Sequence, residues 1–138
     1  MVGVILVTHG TSGEALLEAA AHVLGAAQPN ARAITVAPAD DAAVVHERVR
    51  AGVAAVDDGS GVILFTDVYG ATPSNIGARL LERGRVEGLA GVNLPMLVRA
   101  LACRTLPLEQ VLARAIEAGT RGQINMNEDP CHAAARGS

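Results

Sequence analysis

Aromatic residues are almost missing from this chain of 138 residues, which has one Phe, one Tyr and no Trp. Nucleic-acid recognition by base stacking needs aromatic platforms, so that mode is disfavoured. Concentrated positive charge is missing too. The formal net charge is −3 and the basic residues are scattered, whereas a phosphate-backbone partner asks for a clustered positive face. No apolar run approaches the roughly 20 residues of a membrane-spanning helix, which argues against direct membrane insertion. The opening run Val2 to Val7 is too short for a signal-peptide core, has no basic leader, and gives way to Thr8, His9 and Gly10. Two cysteines, Cys103 and Cys131, make no disulfide framework. The compartment expected from these absences is reducing and cytoplasmic.

Several chemical signatures are missing as well. Cys and His residues lack the spacing of metal ligands, so no metal and no cofactor is expected. Gly10-Thr11-Ser12-Gly13 has no Gly-Lys-Ser/Thr and is no nucleotide phosphate loop. Ser12 and Ser74 have no nucleophile elbow around them.

What is present is an alternation of short apolar runs with amphipathic stretches. Val2 to Val7 is an unbroken apolar run, the mark of a strand buried on both faces. Leu16, Ala20, Val23, Leu24 and Ala27 then fall at helical spacing, with Glu14, Glu18 and His22 opposite and Pro29-Asn30 closing the helix. Ala33 to Val36 reads as a weaker strand. Val45, Val49, Val53 and Val56 form the stripe of a second helix, capped by Asp40 or Asp41. Val62 to Thr66 is a third strand ending at Asp67, and Thr72-Pro73 reads as a cap followed by Pro at the first helical position. Ile76, Leu80 and Leu81 supply that helix with an apolar edge. Leu89 to Val92 reads as a fourth strand, Pro95 opens a further helix, and Leu108, Val111, Leu112, Ala115 and Ile116 mark the last one.

Strands alternating with helices predict parallel pairing through right-handed crossovers. The expected architecture is α/β: one doubly wound, mainly parallel sheet flanked by helices on both faces. It covers residues 1–126, and residues 127–138 are expected to form a tail without order.

Ligands of open α/β sheets bind beyond the carboxyl ends of the strands. His9 and Asp67 both stand at such ends, and a central first strand would open both loops into one crevice. A carboxylate accepting from one imidazole nitrogen fixes the tautomer and leaves the other nitrogen able to attack phosphorus or bind a metal. The loop Gly70-Ala71-Thr72-Pro73 runs into a helix N-terminus, a setting that attracts anions. Each residue also has a plainer role, His9 as a hydrogen-bonded strand end and Asp67 or Thr72 as a cap. Their joint placement favours chemistry. His22, His46 and His132 read as solvated surface.

Three segments carry a resemblance. Val7-Thr8-His9-Gly10, Phe65-Thr66-Asp67-Val68-Tyr69-Gly70-Ala71-Thr72-Pro73-Ser74-Asn75 and Gly91-Val92-Asn93-Leu94-Pro95-Met96-Leu97 resemble the IIA domain of the mannose-type bacterial sugar phosphotransferase system. The likeness spans about residues 1 to 124. It implies a phosphocarrier whose histidine, here His9, accepts a phosphoryl group from the phosphohistidine of HPr and passes it to a IIB partner. It implies Asp67 as the orienting carboxylate and a phosphate-side hydroxyl at Thr72; Gly70 and Ala71, whose small bulk lets backbone approach phosphate oxygens, and Gly10 complete the expected phosphate site. It also implies a homodimer in which a C-terminal strand, here Gln123 to Met126, pairs with or exchanges into the partner's sheet. With a short tail in place of a IIB domain, the chain is expected to act as a stand-alone carrier.

The alternative from another class is a regulatory binding module whose phosphorylation state on His9 controls partner proteins. A tetrapyrrole-type chelatase would want a second His or Glu cluster near the site, and a histidine phosphatase would want Arg where Thr8 stands. Neither pattern is found.

Overall fold

The computed structural model describes residues 1–131. Its elements are β1 (Gly3–His9), α1 (Ser12–Leu24), β2 (Ala31–Val36), α2 (Ala42–Val56), β3 (Val62–Thr66), α3 (Thr72–Ala78), β4 (Val86–Ala90), α4 (Leu94–Ala102), α5 (Leu108–Arg121) and a 3-10 turn at Met126–Glu128. The strands lie in the order β2-β1-β3-β4, and every neighbouring pair is parallel.

Alternation along the strands explains why helices cover both faces. Val2, Val4 and Leu6 of the first strand region and Ile63 and Phe65 of β3 point toward α1, α4 and α5, packing with Ala20, Leu97, Leu101 and Val111. Ile5, Val7, Val62 and Leu64 point the other way, onto Val45, Val49, Val53 and Val56 of α2 and Ile76 of α3. An uninterrupted apolar run is what a strand needs when both its faces are covered. The predicted doubly wound architecture is the one observed.

Local differences from the sequence reading have physical causes. The first helix ends at Leu24, several residues before Pro29, because Gly25 adopts the left-handed conformation (φ 75°) and closes the last turn on Ala21 and His22. Its buried face is Gly13 and Ala20 with the half-buried Leu16, Leu17 and Leu24. Val23, expected inside, lies about 80° round the helix from Gly13 and is 58% exposed. Asp41 caps α2 by accepting the Ala43 N–H (2.8 Å), while Asp40 accepts that of Ala37.

The expected cap at Thr72 is one residue displaced: Ala71 is the N-cap, without a side-chain bond, and Thr72 is the first helical residue. The fourth strand begins at Val86, earlier than the expected Leu89, because its register is set by pairing Val62 with Val86 and Thr66 with Ala90. Glu87 and Gly88 are poor strand formers and hid its first half.

The strand expected at Gln123 to Met126 is not formed within the single chain. Residues 123–125 have no regular structure and the 3-10 turn begins at Met126, so β4 remains an edge strand. Most of the expected tail, and His132 with it, lies outside the described residues.

Candidate functional site

The central position of β1 carries the site. Val7 pairs with Thr66, so the next residues up each strand, with His9 on one and Asp67 on the other, emerge side by side at the carboxyl end of the sheet. The Asp67 Oδ2 atom accepts the backbone N–H of His9 (2.9 Å) and lies 2.9 Å from the His9 Nδ1 atom. Oδ1 accepts the N–H of Val68 (2.9 Å).

Partial burial of Asp67 works against its charge, but the His9 N–H, the His9 ring and the Val68 N–H outweigh it, and its carboxyl sits below the ordinary value. An ionised carboxylate can only accept, so in the neutral ring it is Nδ1 that carries the hydrogen, with the Nε2 lone pair left free. The Asp67 side chain is 21% exposed and that of His9 is 52% exposed. The ring is anchored on one side and open on the other.

Neighbouring hydroxyls hold the first loop. Thr8, buried beneath it, accepts the N–H of Gly13 (2.8 Å) and so fixes the start of α1. Ser12 donates its hydroxyl to the His9 carbonyl (2.9 Å), and the Gly10 N–H bonds to Val36 of β2 (3.1 Å). In the second loop Gly70, at φ +86°, donates its N–H to Ser74 Oγ (3.1 Å). The amides of Gly10 and Gly70 are therefore used within the chain. Those of Ala71 and Thr72, and the Thr72 hydroxyl, make no hydrogen bond among the described residues.

Sequence reasoning missed Thr8, Ser12 and Ser74. The one available signal was a hydroxyl residue beside each strand-to-helix turn, where such side chains bond to nearby backbone.

The concavity adjoining the second loop, lined by Leu64, Thr66, Tyr69 and Ser74 among others, holds about 90 Å³, well under the roughly 300–1,000 Å³ of small-molecule sites. Val68 (56% exposed) and Tyr69 (86%) project from the loop into solvent. Among the described residues no group of three His, Cys, Asp or Glu side chains is arranged to hold a metal, and no helix is long and apolar enough to cross a membrane.

The family model described as the phosphotransferase system (PTS) fructose IIA component, EIIA-man, matches residues 3–117. The chain is 32% identical over 137 residues to the PTS mannose-specific EIIAB component of Escherichia coli (strain K12), covering 97% of this chain and 42% of that protein. It thus spans less than half the length of that relative. It is 29% identical over 105 residues to the PTS fructose-specific EIIA component of Bacillus subtilis (strain 168), covering 75% of this chain and 71% of that one. In fold it is similar to the phosphotransferase system component EIIA from Streptococcus agalactiae, with a TM-score of 0.83 at 22% identity over 94% of this chain and 100% of that one. A mannose/sorbose-specific IIA subunit from Enterococcus faecalis superposes with a TM-score of 0.79 at 18% identity, over 90% and 93% of the two chains. A family match across most of the chain, with the fold and the His9–Asp67 pair at the carboxyl end of its sheet, leads to one conclusion: the chain belongs to the EIIA-man family of phosphotransferase-system IIA components.

Proposed function

We propose that this protein is a cytoplasmic phosphocarrier of a mannose-family sugar phosphotransferase system, accepting a phosphoryl group from phospho-HPr on His9 and passing it to a IIB component. The observation that carries the reading is the 2.9 Å contact between His9 Nδ1 and the Asp67 carboxylate, which leaves the exposed ring with a free Nε2. The Nε2 lone pair attacks phosphorus in line. The P–N bond of the donor phosphohistidine breaks, and its electron pair returns to the donor nitrogen.

No proton leaves His9 in this step, because Nδ1 keeps its hydrogen and Nε2 carried none. The phosphorylated ring is cationic, and the Asp67 carboxylate offsets that charge. Onward transfer is the same displacement, with an acceptor side chain of the IIB component as nucleophile. Such transfer asks mainly for positioning and charge stabilisation. The open N–H groups of Ala71 and Thr72 and the Thr72 hydroxyl are the donors assigned to the phosphoryl oxygens, with Gly10 and Gly70 shaping the loops that present them. A half-exposed ring suits a donor and acceptor that are themselves proteins.

The same reading includes a homodimer. Beyond its bridge to Glu82 at Val86, the β4 strand is an edge, and such an edge is commonly covered in an assembly. Gln123 to Met126 is the segment assigned to pair with the partner's edge. Truncation after Gly122, which spares α5, should give a monomer by sedimentation, and removal of residues 129–138 should not. A monomeric full-length protein would refute this part.

The central test is incubation with phosphoenolpyruvate, enzyme I and HPr, followed by intact-mass measurement. One phosphoryl group per chain, acid-labile and base-stable as a phosphoramidate is, is expected. No mass gain in the presence of active phospho-HPr would sink the proposal.

A further inference from the structure

Ser74 is buried, with 8% of its surface exposed, and it lies in the first turn of α3. A hydroxyl that serves a helix start normally stands at the N-cap and accepts an N–H from within the first turn. Here the N-cap is Ala71, and Ser74 reaches backward out of the helix to accept the N–H of Gly70 at 3.1 Å. Asn75 Nδ2 adds a longer bond to the Gly70 carbonyl at 3.4 Å. The bond from Ser74 therefore organises the loop. That loop is tied at its first residue, where Asp67 accepts from His9 and Val68, and again at Gly70, with Val68 and Tyr69 projecting between the two ties.

Gly70 at φ +86° has a backbone conformation that side-chain-bearing residues rarely adopt, so a specific partner for its N–H has a conformation to hold.

We propose that Ser74 is a positioning residue for phosphoryl transfer. By engaging the Gly70 N–H it holds the second loop so that the next two amides, of Ala71 and Thr72, stay open toward the phosphoryl group. The proposal rests on the reading of His9 as the nucleophile and adds a residue that never touches the reacting atoms. A buried hydroxyl making this bond is well suited to the task, because Val68 and Tyr69 are largely exposed and lend the loop little apolar packing.

The test compares wild type, Ser74→Ala and Ser74→Thr with two phosphoryl donors, phospho-HPr and the small molecule phosphoramidate. Ser74→Ala should label His9 roughly two- to tenfold more slowly with both donors, the fold-change equivalent of one neutral hydrogen bond. The KM for phospho-HPr should stay unchanged, since the partner's docking surface is not altered. Hydrogen exchange at the Gly70 amide should quicken in the same variant. Ser74→Thr keeps the oxygen and should restore both the rate and the protection, whatever either change does to the melting temperature.

An unchanged rate with phosphoramidate overturns the proposal. So does a slow Ser74→Thr, or a slow Ser74→Ala in which Gly70 protection is retained. Should phospho-HPr fail to label even the wild type, the carrier reading falls, while the phosphoramidate comparison still decides the role of Ser74.

Discussion

The two ends of this parallel sheet hold one polar side chain each in opposite ways. At the amino end Arg104 is 3% exposed, donates to the Asn30 carbonyl (3.2 Å) and Gln28 Oε1 (3.3 Å), and accepts the Val2 N–H on its own carbonyl (2.7 Å). No carboxylate pairs with it among the described residues, and burial pushes its pKa down. At the carboxyl end His9 is half-exposed and Asp67 holds only one of its ring nitrogens. A charged group that is buried with its donors directed at fixed acceptors ties the chain together. The His9 ring is anchored on a single side and left open on the other, as the proposed nucleophile must be.

Four measurements would break or sharpen that contrast. The largest effect is expected at the open end, where His9→Ala should abolish HPr-dependent labelling while His22→Ala and His46→Ala retain it. Radiolabel transfer decides the point, and label persisting in the His9 variant would remove the site.

Next comes Asp67→Asn, which keeps size but loses the charge and the preference for Nδ1–H. Losing one charge-assisted bond of about 1.5–3 kcal/mol predicts a ten- to hundredfold slower transfer. Stopped-quench labelling beside a thermal melt should show that loss with a Tm within a few degrees of wild type. A collapsed Tm would make Asp67 chiefly structural and erase the contrast with Arg104.

The closed end should answer in the opposite sense. Arg104→Met removes donors from Asn30 and Gln28 and should lower stability by about 1–2 kcal/mol, several degrees in Tm, while the folded variant labels His9 at the wild-type rate. A labelling defect without a melting defect would show that the two ends are coupled.

The smallest effect concerns pH. The native pKa of Asp67 lies below its unfolded value, so the stability it lends is fully present above about pH 4 and is lost as pH falls through the lowered native value. The Tm difference between wild type and Asp67→Asn should close progressively below about pH 4. A difference that instead widens as pH falls below about 4 would reverse the sign of the interaction.

Much of the fold was legible because its signals are local. Val2 to Val7 and Val62 to Thr66 are continuous apolar runs, and the Val45 to Val56 stripe repeats at helical spacing, so their burial could be read without neighbours. The fourth strand resisted, since Val86 to Ala90 contains Glu87 and Gly88 and is a strand only because β3 pairs with it. The exposure of Val23 was likewise invisible, because which part of an apolar helix faces inward depends on what it packs against.

The site divides along the same line. By itself the sequence determined that His9 and Asp67 end two buried strands, that a glycine-containing loop leads from Asp67 into a helix, and that three motifs resemble one family. Only the tertiary structure decided that β1 and β3 are adjacent and in a register bringing residues 58 positions apart within 2.9 Å. It alone decided that the Gly10 and Gly70 amides are spent on Val36 and Ser74 while those of Ala71 and Thr72 stay open. Periodicity is a property of neighbouring residues and survives in one dimension. The partner of a backbone N–H across a turn, or of an imidazole nitrogen across two strands, is settled by packing, which exists only once the chain has closed on itself.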